Sequence, residues 1–371
     1  MIDTICLLIP KDKMLYLSGT SSWELYSKTE YYTKYIRNPS KAEKETGKYF
    51  PRLTGYKRSQ YDSNVRIEFS APKLLYLNNL DELENNDFSK IIEQLQKRLK
   101  DMGVVVEKTI LENASVSSVD FSKNILLQNG YTANYLISEM NKVNLIKSSD
   151  FAKTRFINDG QSLYAHADSH QFVIYDKIAD LNKGKKRATD KDQTLHQKNL
   201  FSKLNKTNAL QEIIRFEVRL NHKQKMNKIL EELGYQKNPS FKEVFSTEMS
   251  KKVITDYWEK LIKERSLGLF SISVSIKDIL QTLFLENKIL KPKQAIYLVG
   301  LFMLVKDESG IRQLRTIVSK RSHDRTWYRM VKDIKQVSEL LTKNKTRDWV
   351  VQIDKAFQNY KPYKIKDYEN K

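Results

Sequence analysis

The sequence predicts an α+β protein, with a central antiparallel sheet and flanking helices over residues 1–235 and a helical domain over 240–371. Short β-type runs alternate with helices in the first part, and every apolar run after about residue 240 has helical period. The chain of 371 residues is long enough for two domains, and its 40% hydrophobic content suffices for a real core. With only 11 glycines and 7 prolines, no low-complexity linker divides it.

The elements follow in order. Ile2 to Ile9 reads as a first strand. Tyr61 to Ser70 alternates, with Val65, Ile67 and Phe69 on one side and Arg66 and Glu68 on the other, which is the strand period. Phe88 to Met102 places Ile91, Ile92, Leu95 and Leu99 at helical spacing, and Gly103 supplies the stop. Val104 to Leu111 and Ser115 to Phe121 read as strands, and Thr132 to Asn141 as a helix. Ser162 to Tyr164 and Gln171 to Lys177 form two strands joined by a turn. Asp180 to Gln197, with Lys183, Lys185, Lys186 and Arg187, reads as a mobile loop that touches DNA. Ile213 to Leu220 is a strand and His222 to Leu233 a helix ended by Gly234. The later runs 242–265, 276–286, 292–305, 310–320 and 324–341 are helical.

The charge narrows the function. Sixty-five Lys and Arg against 45 Asp and Glu leave a net charge of +20. Such a surplus favours polyanions, because each neutralised phosphate releases condensed counterions. Nucleic acid is the first expectation, and a lysine-rich background composition is the competing explanation. No apolar run approaches the roughly 18–20 residues needed to span a bilayer, and Met1 to Pro10 lacks the basic start and cleavage site of a signal peptide. The single cysteine, Cys6, has no internal partner for a disulfide. A cytoplasmic location, without membrane attachment, is expected.

Three acids interrupt otherwise apolar or basic strands: Glu68 in Val-Arg-Ile-Glu-Phe-Ser, Asp120 in Ser-Ser-Val-Asp-Phe-Ser, and Glu217 in Ile-Arg-Phe-Glu-Val-Arg. If those strands are neighbours, the carboxylates converge on one face and suit Mg²⁺ or Mn²⁺, hard ions that prefer oxygen. The alternative is pairing with Arg66, Arg215 and Arg219 on a solvated face. Tyr175, in Phe-Val-Ile-Tyr-Asp-Lys, ends a strand beside Lys177. A phenol ionises only near pH 10 in water, so it becomes a nucleophile when nearby positive charge favours the phenolate. One of 20 tyrosines at a strand end is otherwise a packing residue.

These segments resemble the gene II replication proteins of filamentous phages. The resemblance lies in Met1 to Pro10, Ile67-Glu68-Phe69-Ser70-Ala71-Pro72-Lys73, the strand around Asp120 and Ile214 to Leu220. Gly160 to Lys177 is also similar to a segment of Rep-trans plasmid rolling-circle initiators. The islands span residues 1–235 and reach Arg325-Thr326-Trp327-Tyr328-Arg329. The resemblance implies a site-specific single-strand endonuclease and strand-transferase acting at an origin through a phosphotyrosine. It implies Tyr175 as nucleophile, Lys177 as its catalytic neighbour, and Glu68, Asp120 and Glu217 as ligands of Mg²⁺ or Mn²⁺. Many rolling-circle initiators hold metal with a His-hydrophobe-His pair, and none of His166, His170, His196, His222 or His323 forms one here.

Origin DNA, first double-stranded and then single-stranded, is the expected partner, with a host helicase and single-strand-binding protein. Arg315, Arg321, Arg325 and Arg329, with Trp327 among them, suit backbone clamping and stacking on a melted strand. Trp23, Tyr26, Tyr31, Tyr32 and Tyr35, interleaved with Lys28, Lys34 and Arg37, form a second candidate surface. A mobilisation relaxase shares the chemistry, while a non-catalytic origin-binding regulator would show neither metal dependence nor a covalent adduct. A tyrosine recombinase is set aside, because His323-Asp324-Arg325 has the wrong spacing for its His-x-x-Arg box.

Overall fold

The computed structural model describes residues 1–17, 23–58, 63–145, 151, 153–157, 161–182, 212–267, 269–270, 275–287, 289–307, 310–340 and 346–365. The chain is α+β, as its sequence predicts. It divides into two compact units, one of residues 1–126, 167–254 and 360–371, the other of 127–166 and 255–359. The units therefore interleave along the chain, whereas the sequence suggests one boundary near residue 240.

In the first unit the strands are β1 (Ile2–Pro10), β2 (Leu15–Tyr16), β3 (Glu24–Lys28), β4 (Thr33–Arg37), β5 (Arg52–Lys57), β6 (Ser63–Ser70), β7 (Val104–Val105) and β8 (Ser115–Leu126). In the second unit β9 (Lys153–Ile157) and β10 (Ser162–His166) pair as an antiparallel hairpin. Back in the first unit lie β11 (His170–Asp176) and β12 (Ile213–Leu220). The large sheet of the first unit runs β3-β4-β5-β6-β1-β8-β12-β11, antiparallel throughout.

One face of this sheet is apolar and covered. Val65, Ile67 and Phe69 of β6 are buried, and Phe69 meets Phe241 edge-on at 5.9 Å between ring centroids, with Phe88 5.2 Å from the same ring. The helix Phe88–Asp101 lays Ile91, Ile92, Leu95 and Leu99 into this core and ends at Gly103, whose φ of 81° is the left-handed conformation that glycine adopts without strain. The opposite face carries the charged residues of β6, β8 and β12.

A buried ion pair ties the last described residues to this unit. Lys123 and Glu82 are both buried and paired. Glu82 also accepts the backbone N–H groups of Asn124 and Tyr363, and Lys123 donates to the Lys361 carbonyl. Every polar atom of the pair thus has partners, which is what makes a charge tolerable in a core.

The second unit is helical outside its hairpin. Ile279, Leu283, Leu298, Val299, Phe302 and Val337 form its main cluster. Trp258 packs on Phe357 at 5.9 Å and donates its Nε1 hydrogen to Asp354 at 2.8 Å.

Two sequence readings are corrected. The expected strand Val104 to Leu111 is two residues of strand and then the short helix Lys108–Glu112. The expected loop from Asp180 begins as helix, Lys177–Asn182, with Asp176 accepting the Ala179 N–H at 2.8 Å. Lys183, Lys185, Lys186 and Arg187 lie outside the described residues.

Candidate functional site

Register decides which side chains meet. Cys6 of β1 pairs with Glu68 of β6 on one side and Ser118 of β8 on the other, and Thr4 pairs with Asp120. Asp120 pairs with Arg219 of β12, and Ser122 with Glu217. Residues two apart on a strand share a face, so Glu68, Asp120 and Glu217 stand on one face across β6, β8 and β12. Tyr175 of β11 pairs with Arg215 of β12 and joins that same face.

At the centre, the Tyr175 hydroxyl donates to Glu217 Oε2 at 2.9 Å. Glu217 Oε1 accepts from Arg219 Nε at 2.6 Å. Arg215 lies alongside, with Nη1 3.4 Å from the Tyr175 oxygen and Nη2 3.0 Å from Ser122 Oγ and 3.5 Å from Asp3 Oδ1. Its Nε is buried without a hydrogen-bond partner among the described residues. Lys177 is buried, with Nζ 5.7 Å from the centroid of the Tyr175 ring.

Burial sets the resting protonation states. It holds the Tyr175 phenol well above its ordinary value, and the Glu217 charge reinforces this while Arg215 pulls the other way. Burial lowers the Lys177 ammonium to about 7, with the Arg215 charge adding to the effect. Burial also pushes against Glu217, but Arg219 and Arg215 outweigh it and hold that carboxylate ionised. Asp120 goes the opposite way. Burial raises it well above the carboxylate range, and Glu217, Asp3 and Glu68 add repulsion that Arg219 only partly offsets.

The predicted residues therefore fall into two groups. Glu217 is engaged by Tyr175 at one oxygen and by Arg219 at the other, so it holds the phenol in place. Asp120 is a carboxylate crowded by others of its own sign, with Asp3 opposite it in the β1 bulge between Ile2 and Thr4. Glu68 is partly exposed and reaches Arg66 at 3.4 Å. Among the described residues no three His, Cys, Asp or Glu side chains are grouped to hold an ion. Asp3 and Asp120 are half-buried carboxylates close enough to repel each other, and Mg²⁺ commonly takes one or two protein carboxylates and fills its shell with water and substrate phosphate. Asp3 and Asp120, with Glu68 at their margin, are the carboxylates that could hold such an ion.

Asp3 and Arg215 are the residues sequence reasoning missed as site members. Of the other predicted residues, Trp327 is buried at 4% in the helical unit, its ring 5.8 Å from the Arg315 guanidinium. It is a core residue and does not present its ring to bases. Arg321, Arg325 and Arg329 are exposed and Arg315 partly so. His170 is buried and His166 partly so, and neither joins the acids. Among the described residues no helix is long and apolar enough to cross a membrane. No family model matches this chain, and neither does any curated protein or solved structure.

Proposed function

We propose that the chain is a rolling-circle replication initiator that nicks one DNA strand at an origin through Tyr175. The observation that carries the reading is a tyrosine hydroxyl held between a carboxylate and a guanidinium, on a sheet face that also carries a crowded pair of aspartates. In the proposed reaction the phenol oxygen forms a bond to the scissile phosphorus as the P–O bond to the deoxyribose breaks. The phenolic proton leaves along the hydrogen bond toward Glu217. Arg215, whose Nε–H has no acceptor among the described residues, would donate it to a non-bridging phosphate oxygen and stabilise that charge together with the phenolate. Lys177 in its ammonium form supplies the proton to the departing sugar oxygen. A divalent ion at Asp3 and Asp120 would neutralise charge building on the phosphoryl group. The covalent phosphotyrosine keeps the bond energy for rejoining.

At rest the phenol is protonated, so DNA must bring the change that ionises it. A second reading is a non-catalytic origin-binding protein, and the burial that holds the Tyr175 phenol well above its ordinary value favours it. One experiment separates the two. The protein is incubated with Mg²⁺ or Mn²⁺ and DNA from its own replicon, then run on a denaturing gel. The nickase forms a covalent adduct that Tyr175→Phe abolishes while DNA binding is retained. No adduct with either metal leaves the regulator. The mobilisation relaxase differs only in acting at a transfer origin, which the site of the nick reports.

A further inference from the structure

The sheet face that carries the acids does not end at Glu68. Arg52 pairs with Glu68, Thr54 with Arg66 and Tyr56 with Asn64. Lys34 of β4 in turn pairs with Tyr56. The same face therefore continues from β6 through Arg52, Thr54 and Tyr56 of β5 to Lys34 of β4.

There its character changes from acidic to aromatic. A bulge in β3 between Leu25 and Ser27 re-aims Tyr26. Lys34 Nζ consequently lies 4.3 Å from the Tyr26 ring centroid and 5.8 Å from that of Tyr56. Tyr32 adds a third ring, 6.3 Å from Tyr56 and tilted by 56°. Tyr26 is 63% exposed and Tyr32 37%.

Packing does not explain this exposure. On the other face of the same strands, Trp23 lies over Gly55, its ring 3.6 Å from where a Cβ would stand, and meets Tyr16 edge-on. That face has aromatic contacts of its own, although Leu25 and Tyr35 on it are also exposed, and on the opposite face Tyr26 stands in solvent beside Lys34. Lysine guards an edge strand against unwanted pairing, but that role needs no row of phenol rings.

We propose that Tyr26, Tyr32 and Tyr56, with Lys34 between them, are a stacking platform for single-stranded DNA. Bases of any sequence stack on aromatic faces, and a cation set among the rings meets the backbone phosphate. The charge of this region is complementary: residues 23–58 carry nine Lys and Arg against four Glu. The platform lies six strand positions from Tyr175 in the sheet order, or roughly 29 Å at 4.8 Å per strand. A melted strand on the platform thus runs along one sheet face, past Arg66 and Arg219, to the proposed nucleophile. The choice of DNA and of this direction rests on the nicking reading, while the stacking surface stands on its own geometry.

The test is equilibrium binding of the full chain, without added metal, to a fluorescent oligothymidine of about 16 nucleotides and to a duplex of equal length. Tyr26→Ala keeps the wild-type melting temperature because its side chain is 63% exposed, and the Tyr26→Ala/Tyr32→Ala pair, which also removes the Tyr32–Tyr56 contact, is compared at temperatures below its own melting. Each lost stack weakens oligothymidine binding about 5- to 150-fold, Tyr26→Phe retains it, and duplex binding stays as in the wild type. Unchanged oligothymidine binding in the double variant overturns the platform, and so does equal loss on duplex. Should the wild type form no covalent adduct while Tyr26→Ala still loses single-strand binding, the nicking reading fails and the platform stands.

Discussion

At the scale of single residues, burial holds the site in a protonation state that the proposed nicking reaction requires it to leave. Lys177 makes this measurable. Burial lowers its ammonium from 10.5 to about 7, so between those values the unfolded chain binds a proton that the folded chain does not. Stability then rises with pH across that window, and the strain of burying the charge is greatest below it. Lys177→Met is expected to melt several degrees higher than the wild type at pH 6, with the difference shrinking toward pH 10. A melting curve at each pH checks this, and an equal difference at all pH values would show that Lys177 is not strained. Under the proposed reaction the same variant is also expected to lose nicking, because the departing oxygen would have no proton donor. Much of this site was legible residue by residue. Alternation alone put Glu68, Asp120 and Glu217 on the polar side of their strands, and Tyr175 followed from its strand end. Asp3 was not legible, since strict alternation from Thr4 and Cys6 points it to the apolar side, and only the β1 bulge brings it to Arg215. Arg215 was readable as an ion-pair partner. That it spans Tyr175, Ser122 and Asp3 depends on the order β8-β12-β11, which no local pattern encodes.

At the scale of elements, legibility followed how one-sided each segment is. β12, with buried Ile214, Phe216 and Val218, and the helix Ile276–Glu286 have the predicted bounds. β3, β4 and β5 were not foreseen as strands, because tyrosine and lysine alternate there with residues that are themselves half-exposed, and neither face reads as apolar. Val104-Val105-Val106 misled in the other direction. Three β-branched residues suggest a longer strand, yet Glu107 adopts extended geometry and the helix Lys108–Glu112 starts after it. A different local demand appears at Gly310, which opens the helix Gly310–Ser319 with a φ of 61°. A Cβ there would stand 2.6 Å from Lys142 Cβ and 3.1 Å from the Lys142 carbonyl oxygen, while Arg312 N–H donates to that same oxygen at 3.3 Å. Backbone and space both require glycine. Gly310→Ala is expected to cost about 2–4 kcal/mol, seen as a lower denaturation midpoint with an unchanged slope. A variant as stable as the wild type would mean that the two helices separate freely at this point.

At the scale of the whole molecule, the net charge of +20 acts as a field as well as a set of contacts, and the two can be told apart by salt. Any strongly basic protein binds DNA more weakly as salt rises, but the log–log slope counts phosphates neutralised at the interface, at roughly 0.9 per contact on duplex. A solvated charge that merely contributes to the field leaves that slope almost unchanged. In the helical unit Arg321, Arg325 and Arg329 are exposed, while Trp327 between them is committed to the core. These helices can therefore hold phosphates but present no tryptophan to read or stack bases. Replacing all three arginines by alanine is expected to lower the slope for duplex DNA by about two to three and to weaken binding uniformly across sequences. If the proposed nicking holds, the position of the nick is expected to stay where it is in the wild type, because phosphate contacts orient a protein on DNA without specifying sequence. Anisotropy titrations of the wild type and the triple variant over a salt series measure the slope directly. A slope equal to that of the wild type assigns these arginines to the general field, and a shifted nick assigns them to sequence recognition.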